Sequence, residues 1–151
     1  MEIKKAKSQQ QKLHRTNTIL DAAESLFVAG NGELPSAIEI ANQAKIAKGT
    51  VYLYFSSKET IFLTLLERHI HNWLLDCDKG IRQYESPSVD DILGYLLNYW
   101  QAHPQFGQLF RICDAVLEPN VEDKLYSEFH TRTQNEIKRL APALQTINDE
   151  V

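Results

Sequence analysis

From Ile19 the apolar residues fall at Ile19, Ala22, Ala23, Leu26 and Phe27, the i, i+3, i+4, i+7, i+8 spacing of a helix with one buried face. Gly30 and Gly32 predict its end. Ser36 with Glu39 three residues on forms a capping box, in which each side chain satisfies a backbone donor at a helix start. Ala37, Ile40, Ala41 and Ala44 supply the short apolar stripe that follows. After a break at 45–47 and a run of large residues at 51–55, Ser56, Ser57, Lys58 and Glu59 signal another helix start. The apolar set of that helix, Ile61, Phe62, Leu65, Leu66, Ile70, Trp73, Leu74 and Cys77, is too wide for one stripe, so the helix should pack against two bodies. Ser88 and Asp91 cap a helix with Val89, Ile92, Leu93, Leu96, Leu97 and Trp100. His103-Pro104 ends it and places proline in the first turn of the next, where its missing donor costs nothing. Phe106, Leu109, Phe110, Cys113, Val116 and Leu117 form that stripe, closed by Glu118-Pro119. Val121, Leu125, Phe129, Ile137 and Leu140 predict a last helix, bent or ended by Pro142. Residues 1–14 lack periodicity and read as a flexible arm.

The run Val51, Tyr52, Leu53, Tyr54, Phe55 is written in strand-forming residues. A strand there would need a partner to pair its backbone groups, and no other segment alternates apolar and polar residues convincingly. The alternative is a short helix starting near Lys48 and joined to the 36–44 helix by about three residues, a helix-turn-helix whose second helix enters a DNA major groove. Val51 and Phe55, four apart, would then face the core and leave Lys48, Thr50, Tyr52 and Tyr54 outside. Lys48 can reach guanine O6/N7 or a phosphate, and Gly49, without a Cβ, lets the backbone approach a duplex closely. The amides at the helix start suit phosphate oxygens. Thr50 and the two tyrosine hydroxyls can donate to phosphates, which fixes register without reading sequence, and Lys58 is a further phosphate candidate.

Charge supports a polar division of labour. The net charge of −4 hides an asymmetry: residues 1–58 hold eight Lys/Arg against five Asp/Glu, and residues 59–151 hold eight against fifteen. Lys4, Lys5, Lys7, Lys12 and Arg15 face only Glu2 within the first fifteen residues, the pattern of a basic binding end on an acidic body. With 43% hydrophobic and 24% charged residues the chain is neither disordered nor fibrous in composition. No apolar run approaches the roughly 18 residues of a bilayer span, so a cytoplasmic protein without a membrane partner is expected. Cys77 and Cys113 fit neither a zinc box nor a disulfide framework and are expected as core thiols.

With these pieces in place, ILDAAESLFVAGNG, SAIEIANQA and KGTVYLYFSSKETIF resemble the DNA-binding domain of TetR-family transcriptional regulators over 15–62. The resemblance implies an all-α fold: a flexible basic arm at 1–11, a three-helix DNA-binding domain at 12–57 with its helix-turn-helix at 36–55, and a long helix leading into a helical ligand-binding and dimerisation domain at 58–151. It also implies a homodimer on a palindromic operator, acting as a repressor that a small, partly apolar effector releases. The family's DNA-contacting positions carry over onto Ser36, Ala37, Lys48, Gly49, Thr50, Tyr52, Leu53, Tyr54 and Lys58. Lys45 stands where the family usually has a turn glycine, and Ala47 where a serine often caps the recognition helix, which removes a bond worth about 1 kcal/mol. Family members generally run longer, with two further helices that build much of the dimer interface, so this chain is expected either to be a fragment or to lack those helices.

In the second half Tyr99, His103, Phe110 and Cys113 are candidate pocket residues, as apolar-face positions with polar neighbours. No HExxH, GxSxG or glycine-rich phosphate loop is present, and neither copy of the Glu-x-x-His pair of a bundle di-metal site. No catalysis, metal or cofactor is therefore expected, and the histidines should be surface groups or pocket donors. Two other readings stay open: a helical small-molecule-binding protein, and an adaptor whose helix-turn-helix surface binds a protein.

Overall fold

The computed structural model describes residues 1–145. It holds α1 (Glu2–Ala29), α2 (Ala37–Ala44), α3 (Lys48–Tyr54), α4 (Lys58–Ile81), α5 (Val89–Ala102), α6 (Pro104–Ile112) and α7 (Asp123–Gln145), with a π-helical turn at Cys113–Leu117 and a 3-10 turn at Glu118–Asn120. No strand occurs among the described residues. The chain forms two compact units, Met1–Leu65 and the part from Leu66 onward.

The first unit closes around the stripes that the periodicity predicts. Ile19, Ala23 and Phe27 of α1, Ile40 and Ala41 of α2, Val51 of α3 and Ile61 and Phe62 of α4 are all buried. The Phe27 and Phe62 rings meet with centroids 5.5 Å apart, and each such burial stabilises the fold by about 1.5–3 kcal/mol. Because the first turns of α4 bury Ile61, Phe62 and Leu65, this unit reaches Leu65 rather than stopping at the expected boundary of 57.

The arm expected at 1–11 is helical, forming the start of α1. Lys, Gln, Glu and Ala are strong helix formers, and they extend a helix already held by packing further along, which removes the cost of nucleation. The lack of an apolar stripe appears instead as exposure: every residue from 1 to 15 faces solvent. Between α2 and α3, Lys45 adopts φ 56°, ψ 43°, the left-handed region. The Lys45 and Ile46 amides donate to Asn42 O and Ala41 O at 3.2 and 3.0 Å, so the turn closes as a Schellman motif without the usual glycine.

In the second unit the aromatics pack on each other. Phe106, fully buried, has its ring centroid 4.6 Å from Trp100, 5.5 Å from Tyr99, 5.6 Å from His69 and 5.8 Å from Trp73. The Trp73 indole N–H donates to Leu96 O at 3.1 Å, tying α4 to α5. The two helices also approach at Gly80, where a Cβ would stand 2.4 Å from the Tyr95 ring. Arg132 of α7 grips the Glu67 carboxylate with two guanidinium nitrogens. The capping box at Ser88 and Asp91 is formed, with the Ser88 N–H donating to Asp91 Oδ2 at 2.9 Å. Pro142 does not end α7, which continues to Gln145; a proline removes only one ladder bond directly. Cys77 and Cys113 are buried free thiols. Burial, helped by Asp76, pushes the Cys77 thiol up to about 11.

Candidate nucleic-acid interface

The helix α3 is held by one face only. Val51 and Phe55 are buried, while Tyr52 is 48% and Leu53 82% exposed. The same turns expose Lys48 and Gly49 and leave Thr50 and Tyr54 half-buried. A run that reads as a strand by propensity is thus a helix held by two core anchors, as the pairing argument requires. Its first residue is preceded by Ala47, which makes no side-chain cap bond, so α3 lacks a stabilising contact that serine at that position would supply.

Five of the nine residues singled out from sequence line one cleft of about 370 Å³: Ser36, Ala37, Lys48, Tyr52 and Lys58. The Lys48 ammonium lies 5.8 Å from the centroid of the Tyr52 ring four residues on, a cation–π contact that orients the lysine along the helix face. Lys58 comes to the other wall from the first turn of α4, which Ser57 opens by accepting the Thr60 N–H at 3.1 Å. Two cations among hydroxyls in an open cleft can hold an anionic oxygen. Glu59 also lines the cleft, which restricts the anion to positions away from its carboxylate.

Ser36 and Ala37 also have work within the fold. The Ser36 N–H and hydroxyl both donate to Glu39 Oε2, at 2.8 and 2.7 Å, and the Glu39 N–H donates back to Ser36 Oγ at 3.3 Å. The hydroxyl proton is therefore committed to the cap. These bonds, the backbone one first, hold the Glu39 carboxyl below its ordinary 4.5, and Lys58 acts in the same direction. Ala37 is buried and forms a wall of the cleft. Tyr54 does not share this cleft; it faces a groove with α1 instead. Sequence reasoning missed Ile38, 51% exposed and lining the cleft. Its signal was an isoleucine lying off the Ala37, Ile40, Ala41, Ala44 stripe.

Residues 19–65 match the family model described as bacterial regulatory proteins, tetR family. Over these residues the chain is similar to the DNA-binding domain of that family. It is 32% identical over 77 residues to the HTH-type transcriptional activator FasR of Mycolicibacterium smegmatis, covering 51% of this chain and 33% of that protein. To the fatty acid metabolism regulator protein of Bacillus subtilis it is 35% identical over 74 residues, covering 48% of this chain and 38% of that one. The matches thus span about a third of each of these relatives. The solved structure of the fatty acid degradation regulator FadR from Bacillus halodurans superposes with a TM-score of 0.62 at 21% identity, over 90% of this chain and 69% of that one, a likeness of fold.

The four pocket candidates of the second unit separate. Tyr99 and His103 stack with ring centroids 4.0 Å apart and line a depression of about 330 Å³ with Asp76, Lys79 and Asn98. Phe110 leaves half its surface in solvent, and Cys113 is buried. His69, expected at the surface or as a pocket donor, is buried, its Nδ1 2.9 Å from the Tyr99 hydroxyl. Among the described residues no group of three or more His, Cys, Asp and Glu is placed to hold a metal ion, and no helix is long and apolar enough to cross a membrane.

Proposed function

We propose that this chain is a sequence-specific DNA-binding transcriptional regulator that presents the outer face of α3 to a major groove. The observation that carries the reading is that face itself: Leu53, 82% exposed, stands beside Lys48, Gly49 and Tyr52, where none of them is needed to hold the helix. Lys48 and Leu53 are assigned to base edges, and Tyr52, Thr50 and Lys58 to phosphates. Two copies in a homodimer place their α3 helices about one helical turn of DNA apart, roughly 34 Å, on a palindromic operator. Occupying the operator represses transcription. A partly apolar small molecule bound by the second unit releases the DNA by favouring the arrangement that cannot bind. The names of two similar proteins, each a regulator of fatty acid metabolism or degradation, support an effector of acyl character. The family and its relatives are regulators of transcription, which is the ground for assigning no enzymatic activity.

Gly49 supplies the test. A Cβ there would meet nothing within 4 Å in the protein, and alanine is the better helix former by about 1 kcal/mol. Gly49→Ala should therefore leave the thermal midpoint unchanged or higher, yet weaken binding to a duplex selected from a random pool by tenfold or more. Lys48→Ala should lower discrimination between that duplex and a scrambled one, by about 1–3 kcal/mol if the lysine reads a base edge. Selection of no duplex by folded wild type, or full affinity in both variants, would remove the DNA reading.

A further inference from the structure

We infer that the first four turns of α1 form a second DNA-binding element, a basic helix that follows the phosphate backbone beside the α3 face. The inference rests on the DNA reading above and extends it to residues outside the helix-turn-helix. Three observations meet here. The stretch 1–15 is helical from Glu2 and exposed throughout, so the fold gains no burial from it. The packed part of α1 and good helix propensity hold these turns, which leaves their side chains open to a partner.

Its charge is also ordered along one face. Lys4, Lys7, Gln11, His14 and Arg15 follow i, i+3, i+7, i+10 and i+11, which places them on one side of a helix of 3.6 residues per turn, with Lys5 and Lys12 turned about 80–100° from Lys4 on its flank. Glu2, the one acid among the first fifteen residues, precedes Lys4 by two positions and so points to the opposite side. From Lys4 to Arg15 the face runs about 16 Å, the rise of roughly five base-pair steps along the duplex axis.

The third observation fixes the partner. Lys7, Gln10, Gln11, His14 and Arg15 line a groove of about 740 Å³ together with Tyr54 of α3. The basic face therefore adjoins the helix that carries Lys48 and Leu53, on the side that the Lys48 cleft does not serve. A polyanion lying along α3 meets this groove next. The side chains available are ammonium, guanidinium, imidazole, amide and phenol groups, all able to donate to phosphate oxygen.

The test is the double substitution Lys4→Gln, Lys7→Gln. Both positions are exposed, and glutamine and lysine have similar helix propensity, so the far-UV CD spectrum and thermal midpoint should not move. Binding is titrated against salt with the pool-selected duplex and with a scrambled duplex of equal length. Each lost phosphate contact lowers the slope of log K against log salt by about 0.9. The double variant should therefore lose about 1.8 in slope and roughly ten- to a hundredfold in affinity near 0.1 M salt, equally on both duplexes. A fresh selection should return the same sequence. Unchanged slope and affinity in a variant whose wild type binds would overturn this inference and leave the α3 reading intact. A loss confined to the selected duplex would overturn it too, because phosphate contacts do not discriminate. Wild type that binds neither duplex defeats both readings together.

Discussion

Tyr52 on α3 leaves 48% of its surface in solvent and Leu53 beside it 82%, while Phe106 on α6 leaves none, its ring set against Trp100, Tyr99, His69 and Trp73. Both regions are rich in large side chains, and they use them in opposite ways. In the second unit the aromatics satisfy one another: edge and tilted ring contacts join α4, α5 and α6, and the polar tips find partners nearby, as His69 does at the Tyr99 hydroxyl. In the first unit the buried set is complete without Tyr52, Leu53 and Ile38. A single exposed leucine means little. Ile38 and Tyr52 line a cleft with two lysines, and Leu53 adjoins Tyr52 in α3; exposed apolar groups gathered this way mark a surface for a partner.

The largest effect should come from breaking the self-satisfied side. Phe106→Ala removes a fully buried ring from the centre of five aromatic contacts and leaves a cavity that Trp100 and Tyr99 can fill only in part. A loss of about 3–5 kcal/mol is expected, measured by urea unfolding, with Trp73 and Trp100 as the fluorescence reporters. A loss below about 1 kcal/mol would mean that the cluster lines a space instead of filling it, and would return Tyr99 and His103 to the list of ligand contacts.

A smaller effect of opposite sign is expected at the entry to α3. Ala47 has the extended backbone of an N-cap (φ −70°, ψ 145°) and no side-chain bond. Ala47→Ser adds a side-chain acceptor for the first-turn amides of α3 and should raise stability by about 1 kcal/mol. Slower amide exchange in α3 would locate the gain. Unchanged exchange there would show that the two anchors Val51 and Phe55 already hold the helix.

What could be read from the sequence follows from how local each cause is. The caps at Ser36 and Ser88, the stop at Gly30, the helix in place of a strand at 51–55 and the Lys48 face rest on residues within a few positions of each other. The stretch 1–15 misled because its apolar pattern is empty: missing periodicity was read as missing structure, whereas Lys, Gln and Ala only needed a packed helix to extend. The burial of His69 could not be read either, since its partner Tyr99 lies 30 residues along the chain, and only the packing of α5 on α4 brings them together. Ser36 carries the cap that its spacing to Glu39 predicts. The residue that caps α2 also lines the cleft, but its hydroxyl proton is committed to Glu39.

The smallest effect on stability is the one that sharpens the comparison most. Leu53→Ala removes three carbons that touch mainly solvent, and alanine is at least as good a helix former, so the unfolding free energy should shift by no more than a few tenths of a kcal/mol. If the outer face of α3 meets DNA, the same change strips an apolar contact of the kind that a thymine methyl accepts. Affinity for the selected duplex should then fall while the slope against salt stays as in wild type, because no phosphate contact is lost. That pairing separates Leu53 from the lysines of α1, whose loss lowers the slope. An unfolding free energy that drops by more than about 1 kcal/mol would place Leu53 with Phe106 among the residues that hold the fold, and the contrast between the two regions would fail at the position where it is greatest.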